Sequence, residues 1–312
     1  MASNVPLVEI DLQGSLKRVA SGKVRDLFEI DEHTLLFVAS DRISAYDVIM
    51  RNGIPQKGAL LTQMSSFWFS YLSRVEPSLQ THFLASDLPA AVTYKLSPDS
   101  VAMLSKRSMQ VRRLKPFALE SIVRGYITGS AWSEYKSRGT VHGIKVSGPG
   151  GAILREGDKF DKPIWTPSTK AELGDKDENI HPDQAKDIVG AEYAKAIEEL
   201  SLALYTAAHE YALTKGIIIA DTKFEFAAAP ETSSAEPKIV LIDEVLTPDS
   251  SRFWPLSEYK PGGAQPSFDK QFLRDWLTSE GLKGKESVTM PDHVVRQTGE
   301  KYQEAFVKLT AE

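Results

Sequence analysis

The chain has 312 residues, 42% hydrophobic and 25% charged, and its 37 Lys+Arg against 42 Asp+Glu give a formal net charge of −5. It has no cysteine, which excludes disulfides, thiolate metal sites, iron–sulfur clusters and cysteine nucleophiles. Its longest aliphatic or aromatic run, Leu35–Ala39, is far below the ~18 residues of a membrane span, its N-terminus has no secretory pattern, and its pI near 5.8 argues against coating nucleic acid. The expected setting is the cytoplasm.

Lys23–Ile30 and Thr34–Ser40 are β-favouring runs separated by Asp31-Glu32-His33, which predicts a hairpin. Leu60, Leu61, Met64, Phe67, Trp68, Tyr71, Leu72 and Val75 recur at spacings of three and four, the apolar stripe of a helix that Pro77 ends. Met109–Leu114 reads as a short strand stopped by Lys115-Pro116. Gly139–Gly157 reads as glycine-rich loop and hairpin, with no helix start after it to make a phosphate cradle. Pro163–Pro182 is long, polar and aperiodic, yet Ile164, Trp165 and Ile180 argue against disorder, so it reads as a functional loop. Pro182 opens one long helix with Ile188, Ala194, Ile197, Leu204 and Tyr211 along a face and Lys215-Gly216 at its end. Strands Ile217–Phe226 and Lys238–Val245 follow, joined by Pro230–Pro237, and helical segments around Phe268–Ser279 and Pro291–Leu309 close the chain. The order is mixed α+β in two lobes, without βα alternation.

Walker, dinucleotide-binding and protein-kinase fingerprints are absent. The turn Ser21-Gly22-Lys23-Val24-Arg25-Asp26 could bring backbone N–H groups, Lys23 and Arg25 to a phosphate, or could be a solvated basic turn. If the second pair of strands turns near Thr232, Asp221 faces Asp243, and Asp221, Lys223, Glu225 and Asp243 share one sheet face opposite Phe224, Phe226, Val240 and Ile242. Such a gathering of carboxylates is either a solvated, ion-paired face or a seat for a hard cation such as Mg²⁺ bridged to phosphate. Asp175-Lys-Asp-Glu-Asn179 opens like a calcium loop but lacks the turn glycine and the closing acid. The six histidines show no helix-spaced pair that would suggest a zinc site.

Gly22–Asp26, Ser40-Asp-Arg-Ile-Ser-Ala-Tyr-Asp47, Glu120–Ser130 with its Arg-Gly-Tyr core, Thr166-Pro-Ser-Thr-Lys-Ala-Glu172, Asp177–Ile180, Ala220–Phe226 and Leu241–Trp254 closely resemble the SAICAR synthetase (phosphoribosylaminoimidazole-succinocarboxamide synthase) family in its long, single-function form. The likeness runs from about Gly22 to Trp276. It implies a kinase-like nucleotide-binding lobe over residues 1–116, an ATP-grasp-like catalytic lobe over 117–260, and a C-terminal helical segment, 261–312, packed on the catalytic lobe.

The implied reaction is an ATP-dependent ligation of L-aspartate to carboxyaminoimidazole ribotide (CAIR) through an acyl phosphate, giving SAICAR, ADP and phosphate. It implies Gly22, Lys23, Arg25, Arg112 and Glu120 around ATP, Glu225 and Asp243 on Mg²⁺, and an Arg112–Phe117 hinge pairing with adenine. It assigns Ser40, Asp41, Arg42, Ser44, Arg124, Ser130, Ser168, Thr169, Arg252 and Arg274 to the anionic substrates. Lys170, Lys223 and Asp221 fall at the reacting groups, Asp221 as the candidate base. The partners expected are these small molecules alone, with a monomer favoured over a homodimer and no nucleic acid or membrane. A small-molecule kinase or an inactive nucleotide-binding regulator are the competing readings. The first would release a phosphorylated product. The second would have lost the acids and basic residues that stand here.

Overall fold

The structure is a computed structural model that describes residues 5–170, 177–229 and 238–311. Residues 171–176, which include the start of the run Asp175–Asn179, and the connection at 230–237 lie outside the described residues.

The smaller sheet runs in the order Arg18–Ser21, Arg25–Glu29, Thr34–Ala39, Ser108–Arg112 and Phe83–Ala85. The predicted hairpin forms, with Arg25 opposite Ala39 and Glu29 opposite Leu35. Period-two alternation turns Phe28, Leu36 and Val38 into a core shared with Ile10, Leu12 and Leu104. That leaves the Arg25 side facing the rest of the molecule.

The larger sheet is Lys159–Trp165, Pro116–Tyr126, Ile217–Ala228, Ile239–Ile242 and Gln80–Thr81, with Ser168–Thr169 added to the second strand and Ser251–Pro255 to the third. The third strand is flanked on both edges and buried over almost its whole length, which suits its run of isoleucine, alanine and phenylalanine. Ile217, Ile219, Phe224 and Phe226 meet Ile197, Leu204 and Ala208 of the helix Ala191–Thr214.

The helix Lys57–Val75 ties the parts together, since Met64, Trp68, Phe69 and Leu72 enter this main core. Its first turn, Leu60 and Leu61, joins Ile43, Met50 and Ile54 against Leu273, Val294 and Tyr302 of the helices Gln271–Ser279 and Asp292–Thr310. The C-terminal helices, expected on the catalytic lobe, thus pack on residues 43–61 as well, with Ala305 and Leu309 reaching the main core.

Two expectations are corrected. The long helix is two, Pro182–Val189 and Ala191–Thr214, because Gly190 takes φ 87°, ψ 151°, a conformation open to glycine and closed to the residues around it. An edge strand, Lys159–Trp165, also stands where an aperiodic loop was expected to begin. A register irregularity between Lys159 and Ile164 breaks its alternation and hides the strand from a period-two reading.

Candidate active site

The site grows from the strand Ile217–Ala228. Asp221, Lys223 and Glu225 alternate onto one face, and the neighbouring strand Pro116–Tyr126 sets Arg124, Ile122 and Glu120 directly opposite them. Lys223 Nζ donates to Glu120 Oε1 at 2.5 Å and lies 3.4 Å from Glu225 Oε1, while Lys170 Nζ donates to Glu225 Oε2. Ser168 Oγ donates to Glu120 Oε2 at 3.1 Å. Burial works against the Lys223 ammonium, but Glu120 and then Glu225 overcome it and hold its pKa above the ordinary lysine range. Burial also raises Glu120, against the pull of Lys223. Acids and ammonium groups alternate here, with both lysine side chains about a third exposed (34% for Lys170, 33% for Lys223).

Asp243 reaches this cluster by a route the sequence reading did not foresee. The expected register put Glu225 opposite Ile239; the structure puts it opposite Ile242, three residues on. An odd shift exchanges the faces. Val240 and Ile242 therefore lie with Ala227 and Leu114 on the Glu225 side, and Ile239 and Leu241 join Phe224 and Phe226 in the core. Asp221 does not face Asp243. The strand has ended at Ile242 when Asp243 turns at φ 63°, a left-handed conformation that aspartate tolerates better than most residues.

The Asp243 carboxylate then accepts from Arg25, whose other Nη lies 3.5 Å from Glu244 and whose guanidinium stands 5.3 Å over the Phe37 ring. Burial opposes ionisation of Asp243, yet Arg25, Lys223 and Lys170 keep its pKa below the usual carboxylate range. Behind it, His82 Nε2 lies 3.1 Å from the Asp243 carbonyl oxygen, and burial pushes that imidazole down to about 3.

The glycine turn closes over the same region. Gly22 N–H donates to Arg25 C=O at 2.8 Å. Lys23 and Arg25 part company, Lys23 reaching out to Asp47 at 2.6 Å while Arg25 goes inward. Arg42 secures the turn, donating to the carbonyls of Lys23, Gly22 and Val8 and to Asp26 Oδ1. Ser40 Oγ donates to the Val24 carbonyl at 2.9 Å. Asp41 is spent on the backbone N–H groups of Leu7, Gln56 and Gly58 and on Arg107.

Ser40, Asp41 and Arg42, expected on the substrates, hold the turn through these bonds, and Ser44 lies in the small hairpin Ser44–Ala45 with Val48–Ile49. The Arg112 guanidinium donates to the Thr81 carbonyl and braces the inter-sheet connection.

A second arrangement lies farther along the same strands. Asp221 Oδ2 accepts from both Arg124, at 2.8 Å, and Arg252. Arg124 also donates to Thr166 Oγ1 at 3.0 Å and lies 3.5 Å from Ser130 Oγ. Gly129, at φ 58°, starts the helix Gly129–Arg138 against Arg252. The left-handed backbone favours glycine, and a Cβ there would lie 2.5 Å from Arg252 Nη2 and push the guanidinium aside. Thr128, Gly129, Arg252, Gln265, Asp269 and Gln271 line a cleft of about 120 Å³. Arg274 is half-buried one turn into the helix Gln271–Ser279, close enough to Asp269 to hold down the rise that burial gives that carboxyl. Thr169 lies on the short strand beside Lys170. Sequence reasoning missed Thr166, Glu244 and His82. Glu244 adjoins Asp243 in the motif already read, but only coordinates show which carboxylate Arg25 takes.

These features define a class: a two-lobed α+β protein whose sheet face presents an acid–lysine cluster beside arginine-lined space for multiply anionic ligands. The SAICAR synthetase family model matches residues 18–291. A phosphoribosylaminoimidazole-succinocarboxamide synthase of Pichia angusta is 52% identical over 308 residues, covering 97% of this chain and 98% of the relative. Among solved structures, the SAICAR-synthase from Saccharomyces cerevisiae complexed with SAICAR aligns with a TM-score of 0.86 at 49% identity over 98% of each chain. A type-2 SAICAR synthetase in complex with ADP aligns with a TM-score of 0.64 at 25% identity, over 94% of this chain and 97% of that one. The chain belongs to the SAICAR synthetase family.

Proposed function

We infer that the chain is the ATP-dependent ligase of purine biosynthesis that joins L-aspartate to CAIR, giving SAICAR, ADP and phosphate. One observation carries this reading from the side of the molecule itself. Asp221, Lys223 and Glu225 on one strand place a paired-arginine anion site and an acid–lysine cluster side by side on a single sheet face.

A carboxylate is a poor acyl donor. The CAIR carboxylate oxygen attacks the γ-phosphorus, the bond to the ADP oxygen breaks, and an acyl phosphate forms. The aspartate amine then adds to its carbonyl carbon and inorganic phosphate leaves. Phosphoryl transfer needs position and charge neutralisation more than covalent help. Lys223 and Lys170, each about a third exposed, supply that for the carboxylate and the transferring phosphoryl. The Gly22 turn with Lys23 covers the phosphates, and Leu114, Val240 and Ile242 form the apolar wall for adenine. Arg124, Ser130, Arg252 and Arg274 grip the ribotide, whose planar anionic groups suit guanidinium donors. Asp221, with Oδ2 engaged by both Arg124 and Arg252, holds those two groups in place, and the departing phosphate takes the amine's proton.

The donor set fits Mg²⁺: Glu225 and Asp243 offer the one or two carboxylates that this ion takes when phosphates and waters complete its shell, and both now lie against cations that such an ion would replace. Bound there, it would neutralise β- and γ-phosphate charge. The test is a turnover assay with Mg·ATP, CAIR and L-aspartate. ADP release requires both other substrates, and the product mass carries the added aspartate. Rapid ATP hydrolysis with neither present, or a merely phosphorylated product, overturns the reading. The enzyme is expected to be a monomer, which light scattering checks.

A further inference from the structure

The glycine-rich segment that follows the helix Gly129–Arg138 carries a buried histidine, His142, to which no role has been given. Thr140–Val141 and Ile144–Lys145 form a two-residue hairpin whose corner residues, His142 and Gly143, take φ 50° and 77°. Both are left-handed, as a type I′ turn demands, and asparagine or glycine is the usual choice there. Glu134 fastens the corner, accepting from the N–H groups of His142 and Gly143 and from Thr140 Oγ1 at 2.9, 3.0 and 2.8 Å.

The His142 side chain is only 4% exposed. Its Nδ1 lies 3.0 Å from the Pro167 carbonyl oxygen and 3.3 Å from that of Ile180, and its Nε2 is buried with no partner among the described residues. Burial, reinforced by Arg124, pushes the ring down to about 4, so it is neutral at neutral pH and carries a single N–H. With two carbonyls as its neighbours, that proton belongs on Nδ1. The Pro167 carbonyl also accepts the Ile180 N–H at 3.1 Å, and Ser168 bridges Asn179. One imidazole N–H thus spans two chain segments just where Ser168, Thr169 and Lys170 leave toward Glu120 and Glu225.

We propose that His142 is a positioning residue for the ligase reaction: as the Nδ1–H tautomer it clamps the Pro167 and Ile180 carbonyls and so fixes Lys170 and Ser168 on the acid cluster. The cost of a bare, buried Nε2 is then the cost of a donor at that one point. Asparagine carries its amide N–H where Nδ1 stands and suits the turn. Glutamine carries its amide at the Nε2 position, past both carbonyls.

The inference rests on the proposed activity, so the experiment has one arm that does not. In the wild-type protein, ¹⁵N imidazole signals report His142 protonated at Nδ1 and bare at Nε2; the opposite tautomer overturns the proposal whether or not the protein turns over. In the CAIR assay, His142→Gln lowers kcat by about tenfold to a hundredfold, the scale of an ångström's misplacement, with KM for ATP changed less than about threefold, while His142→Asn stays within about twofold of wild type. A folded His142→Gln with full kcat overturns it, and so does a His142→Asn as slow as the glutamine variant. Failure of the wild-type enzyme to make SAICAR falsifies the proposed activity instead and leaves the tautomer result to decide.

Discussion

Two clusters of charge lie close together in this molecule and serve opposite ends. In the first, Glu120, Lys223, Glu225 and Lys170 sit on a sheet face, with both lysines about a third open to the cleft (33% and 34%). In the second, Asp249 accepts from Lys57 at 2.7 Å and from Tyr302 at 2.8 Å, and lies 3.2 Å from Lys270, with Lys57 and Asp249 at 0% and 2% exposure. Burial disfavours the Asp249 charge, but Lys270 and Lys57 hold its pKa far below the usual range. The second cluster staples three helices to the turn that follows Asp243. Composition does not separate the two. Access does: a cluster with one side open can exchange its internal cations for a ligand's, whereas a sealed one can only hold the fold.

The largest expected effect is on the sealed side. Asp249→Ala leaves two buried ammonium groups uncompensated and should cost about 3–5 kcal/mol of stability, read from the urea midpoint. A loss under about 1 kcal/mol would mean that this cluster is not sealed. The open side answers differently. Asp243→Asn should leave the urea midpoint nearly unchanged and lower kcat by on the order of a hundredfold to a thousandfold, as loss of a charge-stabilising group does. Unchanged turnover would remove Asp243 from the phosphate site.

Much of this contrast was legible in the chain, though unevenly. Alternation alone placed Asp221, Lys223 and Glu225 on one face, because the period of a strand survives any error in its partner. Pairing did not survive. The ten residues 229–238 are too many for a two-residue turn to set the register from sequence; the three-residue slip puts Val240 and Ile242 on the cleft side, and Asp221 pairs with Arg252 of a different strand. The motif around Ser40 did not show what its side chains bond to within the fold. Ser40, Asp41 and Arg42 lie in a motif near the cleft, but their hydrogen bonds all run inward, and sequence cannot show which way a side chain spends its donors. Gly190 was hidden by apolar spacing that continues on both sides of it.

A third test adds charge to sealed places. His82, His142 and His209 are buried, and burial pushes them down to about 3, 4 and 4. Their folded pKa values lie below the unfolded value near 6.5, so the unfolded chain binds more protons between the two. Stability is then complete above about pH 6.5 and falls as the pH drops toward 4, by about 2 kcal/mol per histidine at pH 5. Urea midpoints measured from pH 7.5 to 5 check the sign. A midpoint that holds steady across that range would mean that these rings gain protons without opening the fold, and that burial alone does not mark a sealed site.

The smallest effect belongs to the open cluster and is the sharpest test of the contrast. Lys170→Met removes one of the two ammonium groups on Glu225 but leaves Lys223 there, and the lysine's own side chain is 34% exposed. Solvent screening and the remaining partner together should limit the loss to about 0–1 kcal/mol in the urea midpoint, while turnover falls because the acid cluster has lost a cation at the phosphoryl site. Destabilisation of the size expected for Asp249→Ala would show that the cleft lysine holds the fold as the sealed ones do. Access would then fail as the property that separates the two clusters, and the case for exchange between internal cations and those of a ligand would fail with it.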